Sequence, residues 1–86
     1  MVVFMVVRLL PDDTDVDFGD LLNRISNELP EGIRVGDSRV EDIGFGVRAL
    51  VVGFVLPETE GVGEKLENYL SSIHNIEYEV VSVTRV

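Results

Sequence analysis

The length, composition and charge of the chain limit what it can be. Its 86 residues fit a single domain, residues 1–86, and 45% hydrophobic with 27% charged residues is typical of a soluble globular protein. It has no cysteine, which excludes disulfides and thiolate zinc sites. Sixteen acidic against seven basic residues give a net charge of −9, which argues against direct nucleic acid binding. On charge alone, the simpler interpretation is that the acidic residues keep the protein soluble; the alternative is a basic protein surface as partner.

The first half of the chain predicts a strand, a helix and a second strand. Val2 to Leu10 is an almost unbroken apolar run, as in a buried strand. The run is too short to span a bilayer and lacks the features of a targeting segment, so we expect a cytoplasmic protein without membrane contact. A helix capped by Asp15 or Asp17 follows and stops at Pro30-Glu31-Gly32; Ile33 to Ile43 is then a weaker, polar strand. The apolar residues at helical spacing in this segment are Phe18, Leu21, Leu22, Ile25 and Leu29.

The second half predicts the same three elements again. The segment Gly44-Phe45-Gly46 interrupts the polar strand, and Val47 to Leu56 is once more nearly all apolar. Pro57 to Gly63 is a loop, and a second helix follows that ends at His74-Asn75. Ile76 to Val86 is the last strand. Helical spacing connects Val62, Leu66, Tyr69, Leu70 and Ile73.

The order β-α-β-β-α-β indicates an α+β, ferredoxin-like fold. We expect a four-stranded antiparallel sheet in the order 4-1-3-2, with both helices on one face. The first and third strands are apolar, as central strands should be, whereas charged residues mark the second and fourth strands as edges. The other face of the sheet is either solvated or used for contact.

The chain lacks the usual catalytic constellations. It has one histidine, His74 at a helix end, and no phosphate-binding glycine loop. Asp13, Asp15 and Asp17 alternate as in a calcium loop, but Phe18 and Arg24 occupy positions that need glycine and glutamate. We interpret this segment as an acidic turn before a helix cap, with weak divalent binding left open. No catalytic residue, cofactor or metal site is expected.

The residues bear on two other functions that a ferredoxin-like fold can host. An acylphosphatase-like enzyme needs an arginine in a phosphate-binding turn, but the acidic segment PDDTD closely follows Arg8 and would repel a phosphate. A small-ligand-binding regulatory module, dimeric through the open sheet face, stays open as the alternative function.

Two short segments invite a functional interpretation. The glycines beside Phe45 permit either a chain reversal that presents the phenylalanine or a bulge whose phenylalanine folds back onto the sheet. The closing segment VTRV places the cation of Arg85 one residue from the terminal carboxylate, or it is a frayed end with a solvated charge.

Together, these segments resemble the exchange-domain family of elongation factor 1-beta/delta, and in particular archaeal elongation factor 1-beta. The similarity covers LLPDDTDVDFGDL, LPEG, VEDIGFGVRAL and VTRV in order. Its most specific part is the pattern I-G-F-G-[VI]-[RK]-x-L, which Ile43 to Leu50 match. Eukaryotic members carry lysine at the position of Arg85.

The resemblance implies guanine-nucleotide exchange on the GTPase elongation factor 1-alpha, without covalent chemistry. We expect the free protein to be a monomer, although the residues leave the oligomeric state open. It implies that Phe45 inserts into a pocket of the GTPase and that Arg85 approaches the Mg²⁺ position. We expect the Phe45 turn and the C-terminus to project from the same end of the sheet. The implied contact residues are Gly44, Phe45, Gly46, Arg48, Arg85 and Val86.

Overall fold

A computed structural model describes residues 1–13 and 15–86; Thr14, which belongs to the predicted acidic turn, lies outside the described residues. The elements are β1 (Val2–Pro11), α1 (Phe18–Glu28), β2 (Arg34–Gly44), β3 (Val47–Pro57), α2 (Val62–Ser71) and β4 (Ile76–Arg85). This is the predicted β-α-β-β-α-β order. Neither α1 nor α2 has the length and apolar character needed to cross a membrane.

The four strands form one antiparallel sheet in the order β2-β3-β1-β4, which confirms the predicted order 4-1-3-2. At one end of the sheet Val2 pairs with Pro57 and Val3 pairs with Arg85. We call this the terminal end, because β1 starts and β4 finishes there. The opposite end, where β2 turns into β3, is the hairpin end.

The core lies between the sheet and the two helices. Successive residues of a strand point to opposite faces, so alternate residues of β1 and β3 pack under the helices. The sheet contributes Met5, Val7, Leu9, Leu50, Val52, Phe54 and Leu56; α1, α2 and the turn after α2 contribute Leu21, Ile25, Leu66, Leu70 and Ile73. Central strands therefore carry most of the buried apolar residues, as their composition predicts.

The helix boundaries follow local signals. The Asp17 carboxylate accepts a hydrogen bond from the Asp20 N–H at 3.1 Å and caps α1, which selects Asp17 from the two predicted caps. The regular part of α2 ends at Ser71, earlier than predicted, because Ile73 N–H bonds to the Leu70 carbonyl in a tighter turn. Asn75 then takes a positive φ of 63° and leads into β4.

Ion pairs cross the face of the sheet that no helix covers. Arg8 on β1 lies 2.8 Å from Glu79 of β4 and 3.1 Å from Glu41 of β2, and Glu41 also pairs with Arg39 at 3.3 Å. Ala49 of β3, opposite Glu41 in the register, is fully buried. This face is therefore partly closed by the chain's own charged side chains.

Candidate functional site

The hairpin between β2 and β3 turns on two residues, Phe45 and Gly46. Gly44 pairs with Val47, and Gly44, Phe45 and Gly46 have φ angles of 99°, 56° and 75°. Positive φ at both loop residues is the geometry of a type I′ turn, whose twist matches that of antiparallel strands. Glycine adopts it freely, but for phenylalanine it costs roughly 1–2 kcal/mol. The hairpin thus holds Phe45 in a conformation that most side chains avoid.

Glycine is needed at positions 44 and 46 because of the positive φ angles, not because a side chain would clash with a neighbour. A Cβ atom added at Gly44 or Gly46 would meet nothing within 4 Å. The Phe45 side chain is 106% exposed, so the reversal that presents it is confirmed and the alternative, a phenylalanine folded back on the sheet, is wrong.

Phe45 is the centre of a small apolar surface. Ile43 and Val47 beside it are 43% and 40% exposed. Ile43 is the extra residue of a bulge at this point of the β2–β3 register, and the Asp42 carboxylate accepts a hydrogen bond from the Gly44 N–H at 2.9 Å. We call residues 43–47 the hairpin tip. The strand pairing and the Asp42 hydrogen bond hold the backbone of the hairpin tip in one conformation. Its three apolar side chains nevertheless point into solvent rather than packing in the core.

Arg48 lies directly beside the hairpin tip and contacts α1. Its guanidinium carbon is 5.5 Å from the ring centroid of Phe18, the first residue of α1, in a cation–π arrangement. The exposed Arg48 is therefore held in place at the hairpin end rather than free in solvent.

The C-terminus is an ordered part of the sheet. Val86 N–H donates to the Val2 carbonyl at 2.9 Å, and the Val86 carbonyl accepts from Val2 N–H at 3.2 Å. The Arg85 side chain forms an ion pair with Glu58, in which Nε lies 2.8 Å from Oε1. The alternative of a frayed end is therefore wrong, whereas the Arg85 side chain, 68% exposed, stays largely accessible to solvent.

The expectation that the Phe45 turn and the C-terminus share one end of the sheet is wrong. Phe45 lies at the hairpin end, whereas Arg85 and Val86 lie at the terminal end beside Val2. The physical reason is strand direction: β4 runs antiparallel to β1 and so finishes where β1 begins. Ten residue steps along β3, from Val47 to Pro57, separate the two ends by roughly 33 Å.

The acidic turn borders a cleft at the hairpin end. The cleft has a volume of about 420 Å³ and lies between the start of α1 and the loop before β4. Asp13 accepts a hydrogen bond from Asp15 N–H at 2.8 Å, and Asp17 serves as the helix cap. Among residues 1–13 and 15–86 no group of three or more acidic or histidine side chains is arranged to hold a metal ion. Lining residues include Asp13, Asp17, Asp20, Arg24 and His74.

Four residues that contact or flank the predicted site residues were not predicted from the sequence. At the hairpin end these are Ile43 and Val47 beside Phe45 and Phe18 against Arg48; at the terminal end it is Glu58, paired with Arg85. Ile43 and Val47 alternate with Phe45 along the hairpin, and this spacing was a usable signal once a reversal was assumed. Phe18 was assigned only to the helix face. Glu58 carried no signal, because its contact with Arg85 depends on which strand ends meet.

Known proteins resemble this chain over most of its length. The family model described as the EF-1 guanine nucleotide exchange domain matches residues 4–86, a range that includes the hairpin tip and the C-terminus. The chain is similar to proteins named elongation factor 1-beta. That of Desulfurococcus amylolyticus is 38% identical over 98% of this chain and 96% of its own length.

Two further relatives carry the same name. The protein of Archaeoglobus fulgidus is 36% identical, with 87% of this chain and 85% of the relative covered. The protein of Sulfolobus acidocaldarius is 34% identical, with 100% and 98% covered. All three similarities therefore extend over most of both chains.

Proposed function

Because the chain belongs to the EF-1 guanine nucleotide exchange domain family, we propose that it is the exchange factor of elongation factor 1-alpha, promoting GDP release and GTP reloading. The observation that supports this most strongly is the hairpin tip: a phenylalanine fully exposed on a strained two-residue turn. Strain of this kind is concentrated at functional sites. The action is non-covalent, and the free protein is a monomer.

The mechanism rests on thermodynamic linkage. A GTPase holds GDP through backbone N–H groups, a lysine and a Mg²⁺ ion bridging to the phosphates. An exchange factor that binds the empty GTPase more tightly than the filled one weakens the nucleotide by the same factor. The chain therefore needs contacts that it can make with the nucleotide-free GTPase but that bound GDP or Mg²⁺ would prevent.

The two ends of the domain supply two separate contacts. Phe45 at the hairpin end docks in an apolar pocket of the GTPase, where an aromatic group buries a large area at little entropic cost. Arg85 at the terminal end approaches the Mg²⁺ position, where a cation repels the metal and competes for its ligands. Since the ends are roughly 33 Å apart along β3, the two side chains enter different surfaces of the partner rather than one pocket.

The remaining contact residues support these two. Gly44 and Gly46 permit the positive φ angles of the turn, and Arg48, stacked on Phe18, adds a positioned cation beside the tip. Val86, bonded to Val2, fixes the backbone from which Arg85 projects.

The test is stopped-flow release of a fluorescent GDP from the matching elongation factor 1-alpha. We expect the wild-type chain to accelerate release, and both Phe45→Ala and Arg85→Ala to reduce the acceleration. Val81→Ala and Lys65→Ala are matched controls, an exposed apolar residue on β4 and an exposed cation on α2. No acceleration by the folded wild-type chain would overturn the proposal.

A further inference from the structure

The ion pair between Arg85 and Glu58 stands out among the charged contacts of the chain. Glu58 directly follows β3, and Arg85 closes β4 on the far side of β1. Their side chains meet across the first residues of β1, with Arg85 Nε 2.8 Å from Glu58 Oε1. The pair therefore connects the C-terminal strand to the loop before α2.

The backbones on both sides of this pair are fixed. Val86 exchanges two hydrogen bonds with Val2, so Arg85 cannot swing away with a loose terminus. On the other side, Thr59 N–H donates to the Pro57 carbonyl at 2.9 Å and folds the loop around Glu58. Only the long side chain of Arg85 can still change its conformation, and the ion pair with the Glu58 carboxylate favours one orientation of its guanidinium.

Stability alone does not account for the pair. The side chains of Arg85 and Glu58 are 68% and 34% exposed, and ion pairs this open contribute little to folding. The pair does, however, select one direction for an arginine that carries a large rotamer entropy.

We infer that Glu58 is a positioning residue for exchange: it holds the Arg85 guanidinium in the direction from which it enters the partner. The inference rests on the proposed exchange function and adds a residue to it. Glu58 acts through Arg85 and not through a contact of its own with the nucleotide. Ordering the side chain in advance reduces the cost of immobilising it when the complex forms.

The experiment compares Glu58→Gln, Arg85→Ala and the double variant in the GDP release assay, over a range of concentrations of the chain. Glu60→Gln, an exposed acid two residues further along the same loop, is the matched control. We expect Glu58→Gln to lower the maximal exchange rate roughly three- to fivefold. The half-saturating concentration stays within about twofold, because the hairpin tip at the other end is intact.

Two readouts separate positioning from a merely structural role. Thermal unfolding of Glu58→Gln should match that of the wild type, and Glu58→Gln should have no further effect in the Arg85→Ala background. A wild-type or faster rate for Glu58→Gln, or an equal loss in both backgrounds, would overturn the inference while leaving the exchange function in place. Absence of acceleration by the wild-type chain would instead overturn the proposed function, and the inference with it.

Discussion

Phe45 adopts a backbone conformation that its side chain disfavours, and no contact within the described chain compensates for it. The φ angle of 56° lies in the left-handed region, and the ring is fully exposed. The strands on either side impose this conformation, because only a turn with positive φ at both loop residues fits their register. The docking of Phe45 in a pocket of the GTPase, as proposed above, would account for a residue that costs stability and is exposed to solvent.

Replacing Phe45 with glycine should separate stability from function. We expect Phe45→Gly to raise the free energy of unfolding by about 1 kcal/mol, since glycine relieves the strain. Binding to the GTPase should weaken by roughly 2 kcal/mol or more, the range of a hot-spot residue. Urea unfolding and a binding titration measure the two effects. A variant less stable than the wild type would show that the ring packs within the domain.

The glycine at position 46 allows a test by chirality. Gly46→Ala should lower the free energy of unfolding by about 1 kcal/mol, because an L residue opposes a φ of 75°. The Cβ of the L-alanine meets no atom within 4 Å, so this cost comes from φ and not from a clash. D-alanine at the same position, introduced by chemical synthesis, should be tolerated, because a positive φ is the favourable region for a D residue.

A helical glycine is the control for that comparison. Gly63→Ala in α2 should be neutral or stabilising by up to about 1 kcal/mol, with its Cβ in ordinary contact with Met5 at 3.5 Å. Equal effects of L- and D-alanine at position 46 would contradict the assigned turn.

At this scale the residues alone predicted positive φ around Phe45, and the family resemblance was needed to choose the reversal over a bulge; neither predicted the surroundings of the turn. Glycines on both sides of an aromatic residue signal positive φ, which is a local property and can be read from the sequence. The bulge at Ile43 and the stacking of Arg48 on Phe18 depend on cross-strand register and on the position of α1. Neither is determined by neighbours in the sequence.

The two helices are joined by a polar contact as well as by the core. The Tyr69 hydroxyl of α2 donates a hydrogen bond to the Glu28 carboxylate at the end of α1, at 2.8 Å. Burial, and secondly this hydrogen bond, raise the pKa of Tyr69 to about 12. The same hydrogen bond lowers the pKa of Glu28 below its ordinary value. The contact is therefore strongest when the tyrosine is neutral and the glutamate is ionised.

This contact predicts a pH dependence of stability. In the unfolded chain the Tyr69 pKa is close to the ordinary value of 10.0. The contribution of neutral Tyr69 to the free energy of unfolding is therefore fully present below pH 10 and is lost as the pH rises toward the folded-state pKa of about 12. We expect the difference in free energy of unfolding between wild type and Tyr69→Phe to shrink over this range. Urea unfolding of both proteins at several pH values measures it, and a difference that stays constant would contradict the contact.

At the scale of elements, apolar runs and helical spacing, together with proline and glycine as boundaries, predicted the helices and strands of the described chain, with bounds shifted by a few residues. The burial pattern of β1 and β3 follows directly from their apolar runs. The register shift between β1 and β4, near Val6 and Val7, was not predicted. No glycine or proline marks it, and it arises only when the two strands pair.

The whole molecule is elongated, with extents of 39, 21 and 17 Å, and its two candidate contact points lie at opposite ends of the long sheet. The sequence predicted the strand order from the contrast between apolar and charged strands. The error lay in the direction of β4: an antiparallel neighbour of β1 must finish where β1 starts. The separation of Phe45 from Arg85 is thus a consequence of topology.

This separation predicts additivity. Effects of substitutions more than about 10 Å apart, without shared partners, usually add within about 0.5 kcal/mol. The loss of transition-state stabilisation in the double variant Phe45→Ala, Arg85→Ala should therefore equal the sum of the two single losses, each taken from kcat/KM for exchange. A double variant no worse than either single variant would mean that both residues act in one step at one place.

The central claim, that this chain is an exchange factor, is tested most directly by its affinity for two forms of the same partner. Calorimetric titration would compare nucleotide-free elongation factor 1-alpha with the form that holds GDP and Mg²⁺. The account predicts clearly tighter binding to the empty form, by the same factor by which the chain weakens GDP. Equal affinity for both forms, or tighter binding to the filled form, would contradict it and leave a module that binds without driving exchange.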